Sequence, residues 1–237
     1  MKHEEMRNQN AINIFNSVKN GKASVEEIMN DTGLSHVTVK DIGNLLCENK
    51  ILISYKQLHE GKGRPTYNYK INKELYSVYM LEDKYSYIFI AMNYCGNVIL
   101  RHDYYKRTSL TFEENLKRAL NSILLRPDYI SCINFFAECT DKTASLLPNE
   151  IIRINKEEFI TKTVPHKNKT VIIEFSDRCY LSLYGHIHNT NAKIKGIERV
   201  IKCDEIISYK KDCIKGIFDA LENATLSKME ELILNLE

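Results

Sequence analysis

Residues 24–72 constrain this chain more than any other segment, because they predict two short helices, a tight turn and a β-hairpin. Ser24 followed three residues later by Glu27 forms the pattern of a capping box, which begins the first helix. Gly33 suits the left-handed backbone conformation of a tight turn, and Ser35 suits the cap of the second helix. This order predicts a helix-turn-helix followed by a hairpin.

The second helix of this motif has one apolar and one polar face. Val39, Ile42 and Leu46 recur at the spacing of a buried helical stripe. A surface helix with a polar face opposite such a stripe suits the major groove of DNA. Lys40 and Asn44 are the predicted base-reading residues, because lysine donates to guanine and asparagine pairs with adenine. The residues predicted to contact DNA from this helix, over residues 35–48, are Ser35, His36, Val37, Thr38, Lys40, Asp41 and Asn44.

Other residues of the same helix have separate predicted roles. Ser35 and Thr38 are predicted to act as phosphate-binding or capping groups. Asp41 can accept a hydrogen bond from cytosine or repel incorrect registers. Gly43 lacks a side chain, so we expect it to allow the close approach of a neighbouring helix.

The hairpin after this helix is predicted to form a wing. Its first strand alternates through Ile53 and Tyr55, and its second strand alternates through Tyr67 and Tyr69. The loop 57–66 carries glycines at its tip, and its cations can reach phosphate or enter the minor groove. The predicted DNA contacts of this wing are Lys62, Gly63 and Arg64.

A third helix is predicted in front of the helix-turn-helix. Residues 8–20 place Ala11, Ile14 and Phe15 on one helical face, and Gly21 follows as a C-cap. With this helix included, residues 1–72 are predicted to form a winged helix-turn-helix domain.

Charge composition limits how such a domain can bind DNA. The whole chain carries a net charge of only +2, and residues 1–72 hold 10 Lys and Arg against 8 Asp and Glu. Bulk attraction to phosphate is therefore weak, so affinity must arise from the placement of a few cations on one face.

The cysteines and the hydropathy pattern indicate the compartment. The seven cysteines form no Cys-x-x-Cys pair and no metal-binding spacing. No secretory signal is recognisable and no apolar run reaches the roughly 20 residues that span a bilayer. These features predict a cytoplasmic protein with reduced thiols, without a metal, a cofactor or a membrane partner.

Beyond residue 72 the pattern changes to alternating strands and helices. Residues 73–84 show no clear period and are predicted to be a junction, whereas residues 85–237 are predicted to form an α/β domain. No structure is predicted for residues 137–169. The predicted strands are 85–94, 98–105, 129–136, 170–175 and 179–187, and the predicted helices are 111–125, 211–221 and 227–236.

The ordered motifs of the first 72 residues resemble those of the ROK family (repressors, open reading frames and sugar kinases), in its repressor branch. The motifs are Asn8 with Ile12, Ser24 with Glu27-Ile28, Gly33-Leu34-Ser35, Thr38-Val39, Gly63-Arg64-Pro65 and Ile71-Asn72. The resemblance implies a winged helix-turn-helix followed by an actin-like sugar-kinase fold. The family's Asp-x-Gly-x-Thr phosphate loop would fall at Ile88–Gly96, where only the turn is present, so the resemblance implies a shortened, degenerate actin-like domain.

Two functions therefore stay open at the level of sequence. The first is a non-enzymatic transcriptional regulator, a repressor, which binds a pseudo-palindromic operator in double-stranded DNA as a homodimer and leaves room for a sugar effector. The alternative is a sugar- or nucleotide-binding ROK-type protein, such as a sugar kinase, with an attached winged helix. No catalytic residue is predicted, and His186 and His188 lack the third ligand that a metal site needs.

Overall fold

The chain folds into two compact units, one of which combines two separate segments of the sequence. The computed structural model describes residues 3–57, 66–163, 170–174, 179–183, 186–190, 205–209 and 213–236. The first unit combines residues 1–75 with residues 226–237, and the second unit contains residues 76–225. Residues 226–237, which the sequence analysis assigns to the later domain, thus group with the beginning of the chain.

Three helices precede the hairpin of the first unit. They are α1 (His3–Lys19), α2 (Val25–Thr32) and α3 (His36–Glu48). Ile14 and Phe15 of α1 are fully buried, in agreement with the apolar spacing of the sequence. Gly21 adopts a φ of +92° after α1, which glycine tolerates without strain.

The predicted capping box of α2 is confirmed. The Ser24 hydroxyl accepts a hydrogen bond from the Glu27 amide at 3.2 Å, and the Glu27 carboxylate accepts one from the Ser24 amide at 2.9 Å. Hydrogen bonds from the Ser24 and Ala23 amides hold the pKa of the Glu27 carboxyl below its usual value. The first turn of α2 is therefore fixed by local chemistry.

The hairpin consists of β1 (Leu52–Gln57) and β2 (Thr66–Ile71). Leu52 lies opposite Ile71 in an antiparallel register, and both side chains are buried. Because side chains alternate along a strand, Ile53 and Tyr55 lie on the face opposite to Tyr69 and Ile71. The two period-two patterns of the sequence are real, but they describe opposite faces of the hairpin.

The segment before α2 adds a short third element to this hairpin. Ser24 forms an isolated antiparallel bridge with Asn68, and the Tyr69 amide donates to the Ala23 carbonyl at 2.8 Å. The Asn68 amide group donates to Gln57 at 2.7 Å across the hairpin. Sequence analysis missed this pairing because Ala23 and Ser24 carry only a helix-cap signal.

A mixed sheet forms the centre of the second unit. In the described residues its strands are β3 (Tyr76–Glu82), β4 (Ser86–Asn93), β5 (Val98–Tyr105), β6 (Cys132–Glu138) and β7 (Ile151–Arg153), in the order β5-β4-β3-β6-β7. β3, β4 and β5 pair antiparallel, whereas β6 runs parallel to β3 and β7 runs parallel to β6. The predicted α/β class is confirmed.

The central strand β3 lies inside the segment 73–84, so the prediction of a junction there was wrong. Its first five residues, 76–80, are all buried. A strand covered on both faces is apolar without alternation, so it lacks a period-two signal. The predicted strand 129–136 is also corrected, because a 3₁₀-helix occupies Pro127–Ser131 and β6 begins at Cys132.

Helices cover both faces of this sheet. They are α4 (Phe112–Leu124), α5 (Asp141–Ala144) and α6 (Lys156–Thr163). On one face Val78 and Phe89 pack with Leu116 of α4, and on the other Tyr79 packs with Phe159 of α6. Segment 137–169, for which no structure was predicted, contains α5, β7 and α6.

A second sheet follows in the same unit. Its described strands are β8 (Thr170–Glu174), β9 (Cys179–Leu183), β10 (His186–Thr190) and β11 (Glu205–Ser208), in the order β10-β9-β8-β11. β8, β9 and β10 pair antiparallel and β11 pairs parallel with β8. This is the order of the first four strands of the first sheet. The predicted single strand 179–187 is therefore two strands, and His186 and His188 lie on β10.

One long helix, α7 (Cys213–Leu234), replaces the two helices predicted at 211–221 and 227–236. Its end belongs to the first unit, where Met229 and Ile233 are fully buried. There Arg7 donates to the Leu236 carbonyl at 2.7 Å and Asn8 donates to the Leu234 carbonyl at 2.8 Å. Two side chains of α1 therefore satisfy carbonyls at the end of α7. No helix in the described ranges is long and apolar enough to cross a membrane.

Candidate nucleic-acid interface

The turn between α2 and α3 has the geometry that the sequence predicts. Gly33 adopts a left-handed conformation, with φ +71°, and its amide donates to the Met29 carbonyl at 2.8 Å. The Ser35 hydroxyl accepts from the Thr38 amide at 3.2 Å and lies 2.9 Å from the Thr38 hydroxyl. Ser35 therefore caps α3, one of the two roles predicted for it, and Thr38 supplies the amide that is capped.

α3 presents a buried and an exposed face. Val39, Ile42 and Leu46 are buried as predicted. Val37 is 65% exposed, which is unusual for a valine and leaves its methyl groups available for an apolar contact such as the thymine methyl. The predicted DNA-contacting residues of α3 differ in exposure. Thr38 and Lys40 are half-buried, and the exposed ones include His36, Val37, Asp41 and Asn44.

Gly43 fixes how the hairpin packs on α3. A Cβ atom at this position would lie 2.5 Å from Cζ and 2.7 Å from the hydroxyl of Tyr69, which is only 3% exposed. Burial also raises the pKa of the Tyr69 hydroxyl. The close neighbour of Gly43 is thus a strand residue and not the helix that we expected. The missing side chain lets the ring of Tyr69 lie directly against α3.

A cationic and aromatic cluster lies where α3 meets the hairpin. The Lys40 ammonium is 5.8 Å from the ring centre of Tyr67, and the Lys56 ammonium is 5.4 Å from it. Lys56 lies directly opposite Tyr67 in the hairpin register, so these side chains share one face. We refer to Lys40, Lys56 and Tyr67 as the junction cluster. It joins the predicted base-reading residue Lys40 to two residues that sequence analysis did not select.

The signal for these missed residues was present in the alternation of the hairpin. Tyr67 lies two residues before the buried Tyr69 on the same face of β2, close to α3. On the other face of the hairpin the Lys70 ammonium lies 5.8 Å from the ring centre of Tyr55. The predicted wing contacts Lys62, Gly63 and Arg64 lie outside the described residues.

The carboxyl-end edge of the central strands in the second unit is the other place where a ligand would be expected. There the Glu82 carboxylate accepts hydrogen bonds from the Thr140 amide at 2.9 Å and from the Thr143 hydroxyl at 2.6 Å. The Lys106 ammonium lies 3.3 Å from the same carboxylate. Glu138, at the end of β6, accepts a hydrogen bond from Tyr79. The chain's own side chains therefore occupy this edge.

The protonation of Glu82 agrees with this arrangement. Burial alone raises the pKa of its carboxyl, but the hydrogen bonds from Thr143 and Thr140 and the charge of Lys106 outweigh burial. The pKa of Glu82 therefore lies below its usual value, and the group is ionised at neutral pH. Its charge is balanced within the protein.

The first hairpin of this sheet is formed by β3 and β4, not by the strands around Ile88–Gly96. The turn of this first hairpin reads Asp83-Lys84-Tyr85, which has no glycine and no threonine. Neither position carries the Asp-x-Gly-x-Thr sequence.

Four cysteines whose side chains the structure describes are free thiols. They are Cys47, Cys95, Cys132 and Cys139, and Cys95 alone among these four is exposed. Burial raises the pKa of Cys132 to about 12 and also raises the pKa of Cys139. Among the described residues, no three His, Cys, Asp or Glu side chains come together as a metal site would require.

Comparison with known proteins finds similarity at the level of structure. No family model and no curated protein matches the chain. The chain is similar to the crystal structure of a ROK family transcriptional regulator, described as a homologue of the E. coli MLC protein, with 12% sequence identity and a TM-score of 0.47. The superposition covers 78% of this chain and 56% of that one, so the chain matches little more than half of that regulator's length.

Proposed function

We propose that this protein is a sequence-specific DNA-binding transcriptional regulator and acts as a repressor. In this proposal residues 1–72 form a winged helix-turn-helix, α3 enters the major groove, and the wing 57–66 contacts the flanking backbone or minor groove. The observation that carries it is the exposed outer face of α3 beside the junction cluster. A cationic group and an aromatic ring there extend the base-reading face onto the hairpin.

The geometry around α3 supports this reading over a winged helix that only contacts protein. Val37 and Asn44 are exposed, and both side chains are types that read bases. Lys40 and Lys56 add positive charge to the same region of a unit that has little net charge. The short bridge at Ser24 holds β2 to the segment before α2, which stabilises the hairpin in its position beside α3.

We further propose that the chain is a shortened relative of the ROK regulators, with a reduced actin-like second domain. The ordered motifs of the first 72 residues support the relationship, and the repeated strand order of the two sheets is what two related lobes would give. The hydrogen bonds of Glu82 at the carboxyl-end edge of the central strands favour a regulator over a sugar kinase. Phosphate oxygens would have to displace an ionised carboxylate there.

Selection of bound sequences from random double-stranded DNA, with purified full-length protein, tests this proposal. We expect an enriched pseudo-palindrome whose half-sites lie about one helical turn apart. Asn44→Ala should reduce discrimination by about 1–3 kcal/mol at one base pair, whereas Lys56→Ala should weaken all sequences more evenly and lower the salt dependence. Lys117→Ala, which removes an exposed lysine from α4, is the matched control and should change neither property.

Two results would overturn the proposal. The first is a failure to enrich any sequence at low salt, where phosphate contacts are strongest. The second is an Asn44→Ala variant that selects the wild-type sequence with unchanged preference at every position. ATP consumption in the presence of a sugar panel would instead favour the kinase alternative.

A further inference from the structure

Strand β5 is an exposed edge of the first sheet. It pairs with β4 on one side, and within the described chain no strand lies on its other side. Proteins usually protect such edges, since a free edge invites another strand to pair. β5 instead carries exposed apolar side chains, with Tyr105 71% exposed and Ile99 43% exposed.

The hydrogen bonds to β4 determine which backbone groups of β5 point outward. The Lys106 amide donates to the Tyr85 carbonyl at 2.8 Å, so positions 104 and 102 also exchange hydrogen bonds with β4. Residues between them have their amide and carbonyl groups on the opposite side. The backbone amide and carbonyl groups of Arg101 and Asp103 therefore point away from β4, where another strand could form hydrogen bonds with them.

One symmetric pairing of two β5 strands satisfies the backbone and also pairs opposite charges. In the pair, the outward-pointing residues of one copy must face the outward-pointing residues of the other. Because these residues alternate along the strand, the two-fold axis must pass through a residue and not between two residues. An axis at Arg101 or at Asp103 would bring identical charges face to face, which is destabilising. An axis at His102 pairs Arg101 of each copy with Asp103 of the other.

The pairing centred on His102 also matches the apolar ends of the strand. With the axis at His102, Tyr105 of one copy would lie near Ile99 of the other, which stands at an irregularity in the pairing of β5 with β4. On the same side of the sheet, Arg101 and Asp103 already contact each other within one chain at 3.4 Å. The strand is thus self-complementary in backbone, charge and apolar surface.

We propose that β5 is the dimerisation surface of this protein, where a second copy of the chain pairs antiparallel about a two-fold axis at His102. This inference rests on the proposed function, in which a pseudo-palindromic operator requires two copies of the chain, and it names the interface between them. Edge pairing of one strand buries less surface than a standard interface of about 1,600 Å². The dimer should therefore dissociate in the micromolar range and be strengthened when both copies hold one operator.

Charge exchange between two variants tests the pairing. Arg101→Asp and Asp103→Arg each place like charges opposite each other, so each should raise the dimer dissociation constant about tenfold or more in sedimentation velocity. An equimolar mixture of the two should dimerise again, because every pair across the axis is then opposite in charge. Misfolding of either variant cannot produce that recovery.

A cross-link tests the register. In a Cys95→Ser background, His102→Cys should form a 102–102 disulfide under mild oxidation, because unbonded antiparallel pairs bring the Cα atoms to about 4.5 Å. Tyr104→Cys alone should not, since two copies of residue 104 lie four residues apart along the paired strands. Mass spectrometry of the linked peptide identifies the bond.

The outcomes separate this inference from the proposed function. Monomeric wild type at all concentrations, or swap variants that dimerise like wild type, would overturn the interface even if an operator is selected. A dimer that responds to both swaps and recovers on mixing supports the interface even if no DNA sequence is enriched. In that second case the regulator assignment fails and the β5 dimer stands.

Discussion

The contact between Gly43 and Tyr69 makes a quantitative prediction about Gly43→Ala. The added Cβ would lie 2.5 Å from Cζ of the Tyr69 ring, which is only 3% exposed. Overpacking of this kind costs about 1–3 kcal/mol, while alanine in place of glycine within a helix gains about 0.5–1 kcal/mol. We expect a net loss of about 1–2 kcal/mol in the free energy of unfolding of the first unit.

Thermal unfolding followed by circular dichroism measures this loss. In a small domain each kcal/mol lowers Tm by about 4–8 °C, so the transition of the first unit should shift clearly. Asn44→Ala is the matched control, because it changes the exposed neighbouring position of the same helix. It should alter Tm by a few degrees at most, since surface substitutions cost about 0.5 kcal/mol or less.

A double-mutant cycle with Tyr69→Leu isolates the steric cause. Without the ring, Gly43→Ala should become neutral or stabilising, since only the helix preference for alanine remains. If Gly43→Ala raises Tm in the wild-type background, or lowers it equally with Leu at position 69, then the close approach of Tyr69 does not explain the glycine.

Three further predictions concern the capping box, the Glu82 network and the thiols. Ser24→Ala should destabilise the first unit by about 1 kcal/mol, measured by urea unfolding, because the α2 cap is lost. Because the pKa of Glu82 is lower in the folded chain, its stabilisation is present at neutral pH and is lost as pH falls through the folded value, below 4.5. Glu82→Gln should therefore lower stability at pH 7 by about 2 kcal/mol and flatten its acid dependence, and equal loss of stability at pH 3 and pH 7 would contradict this. Iodoacetamide at pH 8 should modify Cys95 quickly and Cys132 slowly, since burial raises the pKa of Cys132 to about 12; equal rates in peptide mapping would refute that assignment.

The parts of the fold that were predictable from sequence are those set by neighbouring residues. The Ser24 cap, the Gly33 turn and the buried stripe of α3 all depend on residues within about one helical turn, so their signals are local. β3 was missed because burial on both faces removes its alternation. The predicted break between the two halves of α7 was also wrong. No residue there ends a helix, and buried residues before and after the predicted break keep the helix continuous.

The candidate interface likewise contains residues that were predictable from sequence and residues that were not. Lys40 and Asn44 were predictable, since a helix places them opposite the buried stripe. Lys56 and Tyr67 were not selected, because their relation to Lys40 depends on the packing of the hairpin on α3 through Gly43. The alternation of the hairpin shows which of its residues share a face, but it does not show which helix that face packs against.

The caps that Arg7 and Asn8 place on the end of α7 affect how this chain is made. Residues 226–236 leave the ribosome only after all of residues 76–225, so the first unit lacks part of its core until then. The nascent chain must therefore hold its amino-terminal helices partly formed while the second unit is synthesised and folds. Helix α3 would thus reach its final stability only after both units are synthesised.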